Sequence, residues 1–385
     1  MSISIGSQVR KVLLVAMADS VHTGRWISQF DGEAIDFMLF PSTPNRRIHS
    51  LIKQRLNGDV EARVRISQWM NWAALPLGIA DLVFANFFRA KLLAREINKF
   101  EPDVIHIMET QHAGYLTDQA LKTVKSEPKI ILSIWGSDLF WFQRFSKHRQ
   151  KMLLLLPRVN ILITECERDE ALATKLGFVG ECVCGIPASG GVDRRLSNDS
   201  HRQVLPSKRK TIAIKGYSGF VGLGPLAVRS LVSLVNQLRS YQIVVYSCSY
   251  RTAQIAKRLR KQSGLDIQIK LKHSMTTKQM EDLFLSARVV VGVSLSDGLP
   301  ATVKEAICTG AFPVQSDTSC AGEWLEDGVS VLLVPPNDSG ALGVAILRAL
   351  TDDDLVDNAA IVNQNIARTR MDLLSLTQQL LKIYN

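Results

Sequence analysis

Short apolar runs, each followed by a polar loop and a stretch with helical spacing, recur along the chain. They occupy residues 11–17, 103–108, 129–135 and 160–166 in the first half, and 211–215, 242–247 and 289–293 in the second. Their length and continuous apolar character predict buried strands. Strands that alternate with helices predict an α/β architecture with parallel sheets. The alternation contains no repeat longer than one βα unit.

The length of the chain constrains this architecture further. With 385 residues the chain is long for one hydrophobic core and comfortable for two domains. Its hydrophobic fraction of 46% and charged fraction of 21% are typical of a folded globular protein. A polar, charged stretch at residues 194–209, which contains Pro206, predicts the linker between the domains.

The net charge of +10 predicts attraction to anions. Nucleotide phosphates, lipid phosphates, an anionic membrane surface and nucleic acid all fit that charge, although no nucleic-acid recognition motif accompanies it. The six cysteines form neither a paired CxxC zinc pattern nor a disulfide framework. The first residues lack the charged-then-apolar order of a secretion signal. We therefore expect reduced thiols and a cytoplasmic location.

A basic stretch is followed by an aromatic and aliphatic segment at residues 69–77; its cations are Arg46, Arg47, Lys53, Arg55, Arg63 and Arg65. This order suits a segment in a lipid interface, and equally a solvated basic face followed by a core segment. Pro76, Asp81 and Asn86 interrupt the apolar span, which argues against a transmembrane helix. The helical stripe by which the next helix would pack on the sheet comprises Val83, Phe87, Ala90, Ala94 and Ile97.

A second basic and aromatic stretch lies at residues 140–151. It suits contact with lipid or with an acceptor phosphate, and equally an amphipathic helix over the core. His106 lies inside a predicted strand, where a hydrogen-bonded core histidine is the expected role.

Residues 296–306 form a strand–loop–helix junction that predicts a seat for an anionic ligand. Gly298 permits close approach to the backbone, Pro300 stiffens the turn, and the free N–H groups of the following helix favour phosphate. Asp297 and Glu305 flank the seat and can accept hydrogen bonds from sugar hydroxyls. Alternatively, residues 302–305 form a capping box in which Glu305 only closes the helix start. A glycoside hydrolase that uses the two carboxylates as acid and nucleophile would leave the phosphate seat unexplained.

Two further loops follow predicted strands. His22 and Arg25 come after the first strand, where the first turn of an α/β sheet faces the ligand crevice. Lys215 precedes a glycine-rich loop at residues 216–225, which predicts a diphosphate held by backbone N–H groups ahead of a helix that extends to about Arg239. The loop lacks the Gly-Lys-Ser/Thr ending of a Walker motif.

From residue 289 to residue 336 the order of these motifs resembles one known family. It contains Asp297-Gly298-Leu299-Pro300, Glu305-Ala306, Gly310, Pro313-Val314, Gly322-Glu323-Trp324, Asp327-Gly328 and Val334-Pro335-Pro336. The order is similar to that of the donor-binding half of GT-B glycosyltransferases in the glycosyl transferase group 1 (GT4-like) family. The resemblance implies an α/β fold of two Rossmann-type domains whose parallel sheets face each other across a cleft.

The implied domains are an N-terminal acceptor domain at residues 1–205 and a C-terminal nucleotide-sugar domain at residues 206–369. A last helix at residues 370–385 would cross back to the first domain. The implied reaction is retaining transfer of a sugar from a UDP- or GDP-sugar to a glycan or lipid-linked acceptor, without a metal or other cofactor. Family members suggest surface polysaccharide or lipopolysaccharide biosynthesis, at the inner face of the cell membrane. The alternative is a weak or inactive GT-B protein that binds a nucleotide or glycan.

The resemblance also implies roles for single residues. Glu305 would bind the ribose hydroxyls, and Asp297, which stands where the family has a glutamate, would hold the donor sugar. Lys215 would neutralise the diphosphate; the other donor contacts would be Gly216, Gly222, Ser247, His273, Ser274, Met275, Gly298, Leu299, Pro300 and Ala301.

On the acceptor side, Trp135 stands where relatives often place a histidine, in a Trp-Gly-Ser-Asp sequence that resembles a subgroup variant. Asp138 would be the polar residue of that motif with a catalytic role. The remaining acceptor-side residues would be His22, Gly24 and Arg25.

Overall fold

The structure of the protein, a computed structural model, describes residues 9–58, 63–84, 86–192 and 204–384. Internal contacts divide the chain into two units, one of Met1–Gly191 with Leu373–Asn385 and one of Val192–Asp372. Each unit is built on a parallel sheet, as the alternating apolar runs predicted.

The first unit contains a seven-stranded sheet in the order β3-β2-β1-β4-β5-β6-β7. Its strands are β1 (Arg10–Ala16), β2 (Ile35–Pro41), β3 (Arg63–Ile66), β4 (Val104–Met108), β5 (Lys129–Ser133), β6 (Ile161–Thr164) and β7 (Glu181–Cys184). Its helices are α1 (Val21–Ser28), α2 (Ser50–Leu56), α3 (Trp69–Phe84), α4 (Phe87–Phe100), α5 (Tyr115–Leu121), α6 (Ser137–Phe140), α7 (Ser146–Leu155) and α8 (Glu167–Lys175). Central strands such as β4 are buried along their whole length because helices cover both faces of the sheet.

The second unit contains a six-stranded sheet in the order β10-β9-β8-β11-β12-β13. Its strands are β8 (Thr211–Lys215), β9 (Gln242–Cys248), β10 (Ile267–Leu271), β11 (Ala287–Gly292), β12 (Phe312–Ser316) and β13 (Leu332–Val334). Its helices are α9 (Gly224–Ser230), α10 (Tyr250–Ser263), α11 (Thr277–Ser286), α12 (Ala301–Thr309), α13 (Ala321–Trp324), α14 (Ser339–Thr351) and α15 (Asp353–Arg370). Helix α9 continues only as a 3₁₀ turn to Leu234, so the predicted extension of this helix to Arg239 is wrong.

The last helix, α16 (Leu373–Tyr384), returns to the first unit, as predicted. Its terminal Tyr384 hydroxyl accepts a hydrogen bond from the indole N–H of Trp26 at 2.9 Å and lies 2.7 Å from Nδ1 of His106. Nε2 of His106 lies 2.7 Å from the Ser133 hydroxyl. His106 is therefore the hydrogen-bonded core histidine that the sequence predicted, and burial lowers its pKa to about 3.

The predicted linker at residues 194–209 lies partly outside the described residues, which resume at Val204. Its described end packs into the second unit. Ser207 donates two hydrogen bonds to Asp357, and the buried guanidinium of Arg209 donates to the carbonyl oxygens of Ala287 and Thr309. Residues 204–209 are therefore part of the second unit rather than a solvated connection.

The basic and apolar stretch after β2 differs from the prediction in two places. Arg55 is buried and pairs with Asp31, so it does not belong to a solvated or lipid-facing basic face. Ala90, Ala94 and Ile97 of α4 are buried as predicted, whereas Val83 and Phe87 are exposed. The predicted stripe is therefore wrong at those two positions. Among the described residues, no helix has both the length and the apolar character required to cross a bilayer.

Candidate functional site

An ion pair lies at the carboxyl ends of two neighbouring strands in the second unit. Lys215 is the last residue of β8, and Asp297 lies in the loop that follows β11. The two strands pair directly, so the lysine Nζ comes to 4.0 Å from Oδ2 of the aspartate. Both side chains stay about 30% exposed, at 30% and 29%. They line a cavity of about 330 Å³, together with Tyr217, Val221, Gly222, Gly292, Val293, Ser294 and Gln315.

The glycine-rich loop forms one wall of this cavity. The N–H of Leu223 donates to the carbonyl of Val293 at 3.0 Å, and the N–H of Leu295 donates to the carbonyl of Val221 at 2.8 Å. These bonds fix the loop against the segment that leads to Asp297. The N–H groups of Leu223 and Leu295 therefore stabilise the cavity wall and are not available to a ligand.

The glycines of this loop are required by packing. A Cβ at Gly216 would come within 2.7 Å of Val245 and 2.9 Å of the Cys248 backbone. A Cβ at Gly222 would come within 2.3 Å of the Tyr217 ring. The diphosphate contact of these glycines stays a prediction. The structure shows that Gly216 lets the loop pack tightly against the end of β9 and that Gly222 makes room for the Tyr217 ring.

Helix α12 begins beside the ion pair. Its N-cap is Pro300, whose side chain makes no capping hydrogen bond, and its first helical hydrogen bond runs from the N–H of Lys304 to the Pro300 carbonyl. The capping-box alternative for residues 302–305 is therefore wrong. Thr302 instead accepts a hydrogen bond from the buried Tyr246 hydroxyl at 3.1 Å, and Glu305 is the fifth helical residue rather than part of the first turn.

Glu305 is half-buried on this helix, close to the same tyrosine. Burial, assisted by the negative charge of Glu305, raises the pKa of Tyr246. Gly298, Leu299 and Pro300 are buried in the loop before α12, and Ala301 is half-buried. The structure therefore places Asp297 at the cavity and Glu305 on the helix that the cavity loop leads into.

The other predicted donor residues follow the carboxyl ends of β9 and β10. Ser247 has a positive φ of 46° near the end of β9, and His273 has a positive φ of 64° in the turn after β10. Ser274 closes that turn through two hydrogen bonds to the Leu271 carbonyl. His273 and Ser274 are exposed, whereas Met275 packs against an apolar cluster. Since the sheet order is β10-β9-β8-β11, the predicted donor residues are spread over four neighbouring strand ends.

The predicted acceptor-side residues lie in loops of the first unit. The His22 ring at the start of α1 is 5.1 Å from the Trp135 ring, which follows β5. The indole N–H of Trp135 is buried without a hydrogen-bond partner among the described residues. Arg25 is half-buried on α1. Gly24 is buried and serves packing, because a Cβ there would come within 2.9 Å of His49.

Asp138 lies at the start of α6 and is buried. One carboxyl oxygen accepts from the N–H and the hydroxyl of Thr110, both at 3.0 Å, and the other accepts from the N–H of Trp135 at 2.8 Å. Burial and the charge of Asp169 raise its pKa to about 7. Its oxygens hold the loops after β4 and β5 together, so we expect a positioning role rather than direct contact with substrate.

Glu109 is a functional candidate that the sequence motifs did not indicate. It follows β4, adopts a positive φ of 75° and opens a π-helix at Thr110–Gly114. Its carboxyl group accepts from the N–H groups of Gln111, His112 and Ala113 at 2.6–2.9 Å. Burial, and to a smaller extent the charge of Asp138, raises the pKa of Glu109 to about 8. In the sequence, Glu109 could have been recognised as a polar residue directly after a buried strand, because ligands of α/β proteins bind at the carboxyl ends of the strands.

Comparisons with known proteins agree with the fold. Residues 11–165 match the family model described as Glycosyl transferase 4-like, and residues 220–352 match the model described as Glycosyl transferases group 1. The first match lies in the first unit and the second match in the second unit. No curated protein matches the sequence.

Solved structures match over nearly the whole chain. HepE from Anabaena, in complex with UDP and glucose, is 15% identical with a TM-score of 0.70, and the match covers 97% of this chain and 99% of HepE. Sucrose-phosphate synthase from Thermosynechococcus elongatus is 14% identical with a TM-score of 0.70, covering 97% and 98% of the two chains. A UDP-forming α,α-trehalose-phosphate synthase from Burkholderia xenovorans is 14% identical with a TM-score of 0.67, covering 98% and 100%. The fold is therefore GT-B.

Proposed function

We propose that this chain, which has the GT-B fold, is a glycosyltransferase that transfers a sugar from a UDP-sugar to a hydroxyl group of a glycan or lipid-linked acceptor. The observation that carries this proposal is the Lys215–Asp297 pair at the joined ends of β8 and β11. A cation for phosphate and a carboxylate for hydroxyls lie side by side in one open cavity. A sugar diphosphate presents both of these groups.

The roles follow from charge and hydrogen-bonding capacity. Lys215 would meet the diphosphate and stabilise the negative charge that grows on it as the glycosidic bond breaks. Asp297 would then be released from the ion pair to accept hydrogen bonds from the transferred sugar. Glu305, on the helix beside the cavity, would accept from the ribose hydroxyls. Uridine is proposed over guanosine because HepE is seen in complex with UDP and the similar trehalose-phosphate synthase is UDP-forming.

We also propose retention of the anomeric configuration, a reaction without a divalent metal, and a place in surface polysaccharide or lipopolysaccharide assembly. The acceptor would contact the first-unit loops that carry His22, Arg25 and Trp135. Activity that is unchanged by EDTA would support the metal-free proposal, and a loss that Mg²⁺ restores would contradict it. The anomeric configuration of the product, read by NMR, tests retention.

Donor binding is tested by thermal shift with UDP, GDP, ADP and CMP. A ligand that binds only the folded state raises Tm because it stabilises that state. At a concentration a hundredfold above Kd, the free energy of unfolding rises by about 2.7 kcal/mol. We expect UDP to raise Tm in the wild type, and Lys215→Met or Glu305→Gln to abolish the shift. The matched controls are Lys278→Met and Asp282→Asn, which break an exposed ion pair on α11 and should leave the shift intact.

The outcomes separate the site from the reaction. No shift with any nucleotide would refute the donor site, and a shift with GDP alone would refute the choice of uridine. Release of UDP from UDP-glucose in the presence of acceptor would support transfer. Strong UDP binding without any release of UDP would favour the alternative, a GT-B protein that binds nucleotide without turnover.

A further inference from the structure

The junction between α3 and α4 exposes a cluster of large apolar side chains. Val83 is 75% exposed, Phe84 54%, Phe87 42% and Phe88 40%, and Ile79 lies one turn before them. We call these five residues the apolar tip. The rings of Phe84 and Phe87 each make an edge contact with the ring of Phe88, at 5.4 Å between centroids. A cluster of this kind on a protein surface marks an interaction site.

The protein holds the apolar tip in a fixed position. Asn86 turns the backbone between the two helices in the left-handed conformation, with φ of 69°. The guanidinium of the buried Arg89 donates hydrogen bonds to Asp81 of α3, to the Ser42 carbonyl and to the Asn86 side chain. A buried arginine therefore ties both helices to the sheet, while the aromatic rings beside it point away from the core.

Basic residues follow the apolar tip along α4. Lys91, Arg95 and Lys99 follow it along the exposed face of α4, and Lys91 Nζ lies 4.3 Å from the centroid of the Phe87 ring. On the α3 side, Pro44 packs within 3.4 Å of the Cβ position of Gly78. Two exposed basic residues, Arg46 and Arg47, follow Pro44 in the chain.

We propose that the apolar tip docks on the surface of an anionic lipid bilayer. The aromatic rings would enter the boundary between headgroups and acyl chains, and the basic residues of α4 would contact lipid phosphates. A second copy of this chain fits less well, because symmetric contact would bring Lys91 and Arg95 of both copies together. The surface lies beyond residues 69–77, for which the sequence left a lipid contact and a core segment as equal alternatives.

This inference rests on the proposed function only for its purpose, which is to bring the enzyme to a lipid-linked acceptor. Docking itself is measured without a sugar. The assay is co-sedimentation of the full chain with phosphatidylglycerol-containing vesicles, compared with vesicles of phosphatidylcholine alone. We expect binding to the anionic vesicles that weakens as salt is raised.

Two double variants test the two halves of the surface. We expect Phe87→Ser with Phe88→Ser, and separately Lys91→Glu with Arg95→Glu, to lower vesicle affinity by about tenfold or more. The matched controls carry the same changes on exposed positions of the second unit, Val344→Ser with Ile361→Ser and Lys257→Glu with Arg258→Glu. The control variants should bind as the wild type does. The charge variants and the controls should keep the wild-type Tm, since the altered side chains are exposed. Phe87 and Phe88 are 42% and 40% exposed, so their double variant is assayed well below its own Tm, where it is folded.

Any of three results would overturn the proposal. The wild type could fail to bind anionic vesicles, the tip variants could bind as well as the controls, or the wild type could form a dimer that Phe87→Ser with Phe88→Ser dissociates. The UDP thermal shift, measured on the same variants, keeps this question separate from the proposed function. Vesicle binding without a UDP shift would leave the docking surface standing and refute the donor site alone.

Discussion

Replacing Tyr384 with phenylalanine would test how the last helix is anchored to the first unit. The hydroxyl accepts the indole N–H of Trp26 and, to satisfy both partners, donates its own proton to Nδ1 of His106. The substitution leaves two buried groups without a partner, at about 1–3 kcal/mol each. His106 keeps its bond to Ser133, so we expect a total loss of about 2–4 kcal/mol.

Amide exchange measured by mass spectrometry on α16, with calorimetry beside it, would detect this loss. At about 1.4 kcal/mol per tenfold change, exchange in residues 373–384 should accelerate roughly 30-fold or more. The Tm of the first unit should fall by about 2–4 °C per kcal/mol. Tyr250→Phe is the matched control, because Tyr250 is 75% exposed. Unchanged exchange in Tyr384→Phe would refute the anchoring role of these hydrogen bonds.

Three further predictions concern buried groups. Burial lowers the pKa of His106 from 6.5 to about 3, so the folded state holds the ring neutral. The free energy of unfolding should therefore fall on acidification below about pH 6.5, by about 2 kcal/mol between pH 8 and pH 5. In denaturation measured as a function of pH, His106→Gln should flatten this dependence. The pH dependence from Glu109 has the opposite sign: because its pKa is raised to about 8, the free energy of unfolding should fall as pH rises from about 4.5 to 8. Glu109→Gln should remove this slope. The variant loses one of the three N–H hydrogen bonds, at a cost of about 1–2 kcal/mol. Gly216→Ala should destabilise the second unit by about 1–3 kcal/mol and weaken UDP binding. Gly340→Ala, at an exposed helix start, should change neither the stability nor the UDP affinity measurably. Equal Tm values for the two variants would contradict the packing argument.

The sequence predicted the central strands β1, β4, β5, β8, β9 and β11 because their physics is local, but it did not predict β2 or β12, which lie beside them. A strand buried on both faces requires a continuous apolar run, and β1, β4, β8 and β11 all show one. Strand β3 was missed because it alternates exposed arginines with half-buried Val64 and Ile66 at the edge of its sheet. An edge strand satisfies its backbone on one side only and needs no apolar run.

Errors arose where a pattern was continued across a break in the backbone. The apolar stripe from Val83 to Ile97 was counted at one helical period, but Asn86 adopts a left-handed conformation between α3 and α4. The turn resets the direction of the side chains, so Val83 and Phe87 face solvent while Ala90 and Ile97 stay buried. Similarly, the capping box assumed a helix start at Thr302, whereas Pro300 already begins the helix.

The sequence singled out Asp297, Glu305 and Asp138 but not Glu109, and burial separates these four acidic residues into two kinds. Both oxygens of Asp138 accept hydrogen bonds from the loops after β4 and β5, and both oxygens of Glu109 accept hydrogen bonds from N–H groups of its own loop. Asp297 is 29% exposed beside Lys215, and Glu305 is half-buried on the adjoining helix. A carboxylate engaged by its own loop can position that loop, whereas one open to a cavity can exchange an internal partner for a sugar hydroxyl. Neutral substitutions should therefore lower Tm in the first pair and lower UDP-sugar turnover at nearly constant Tm in the second pair.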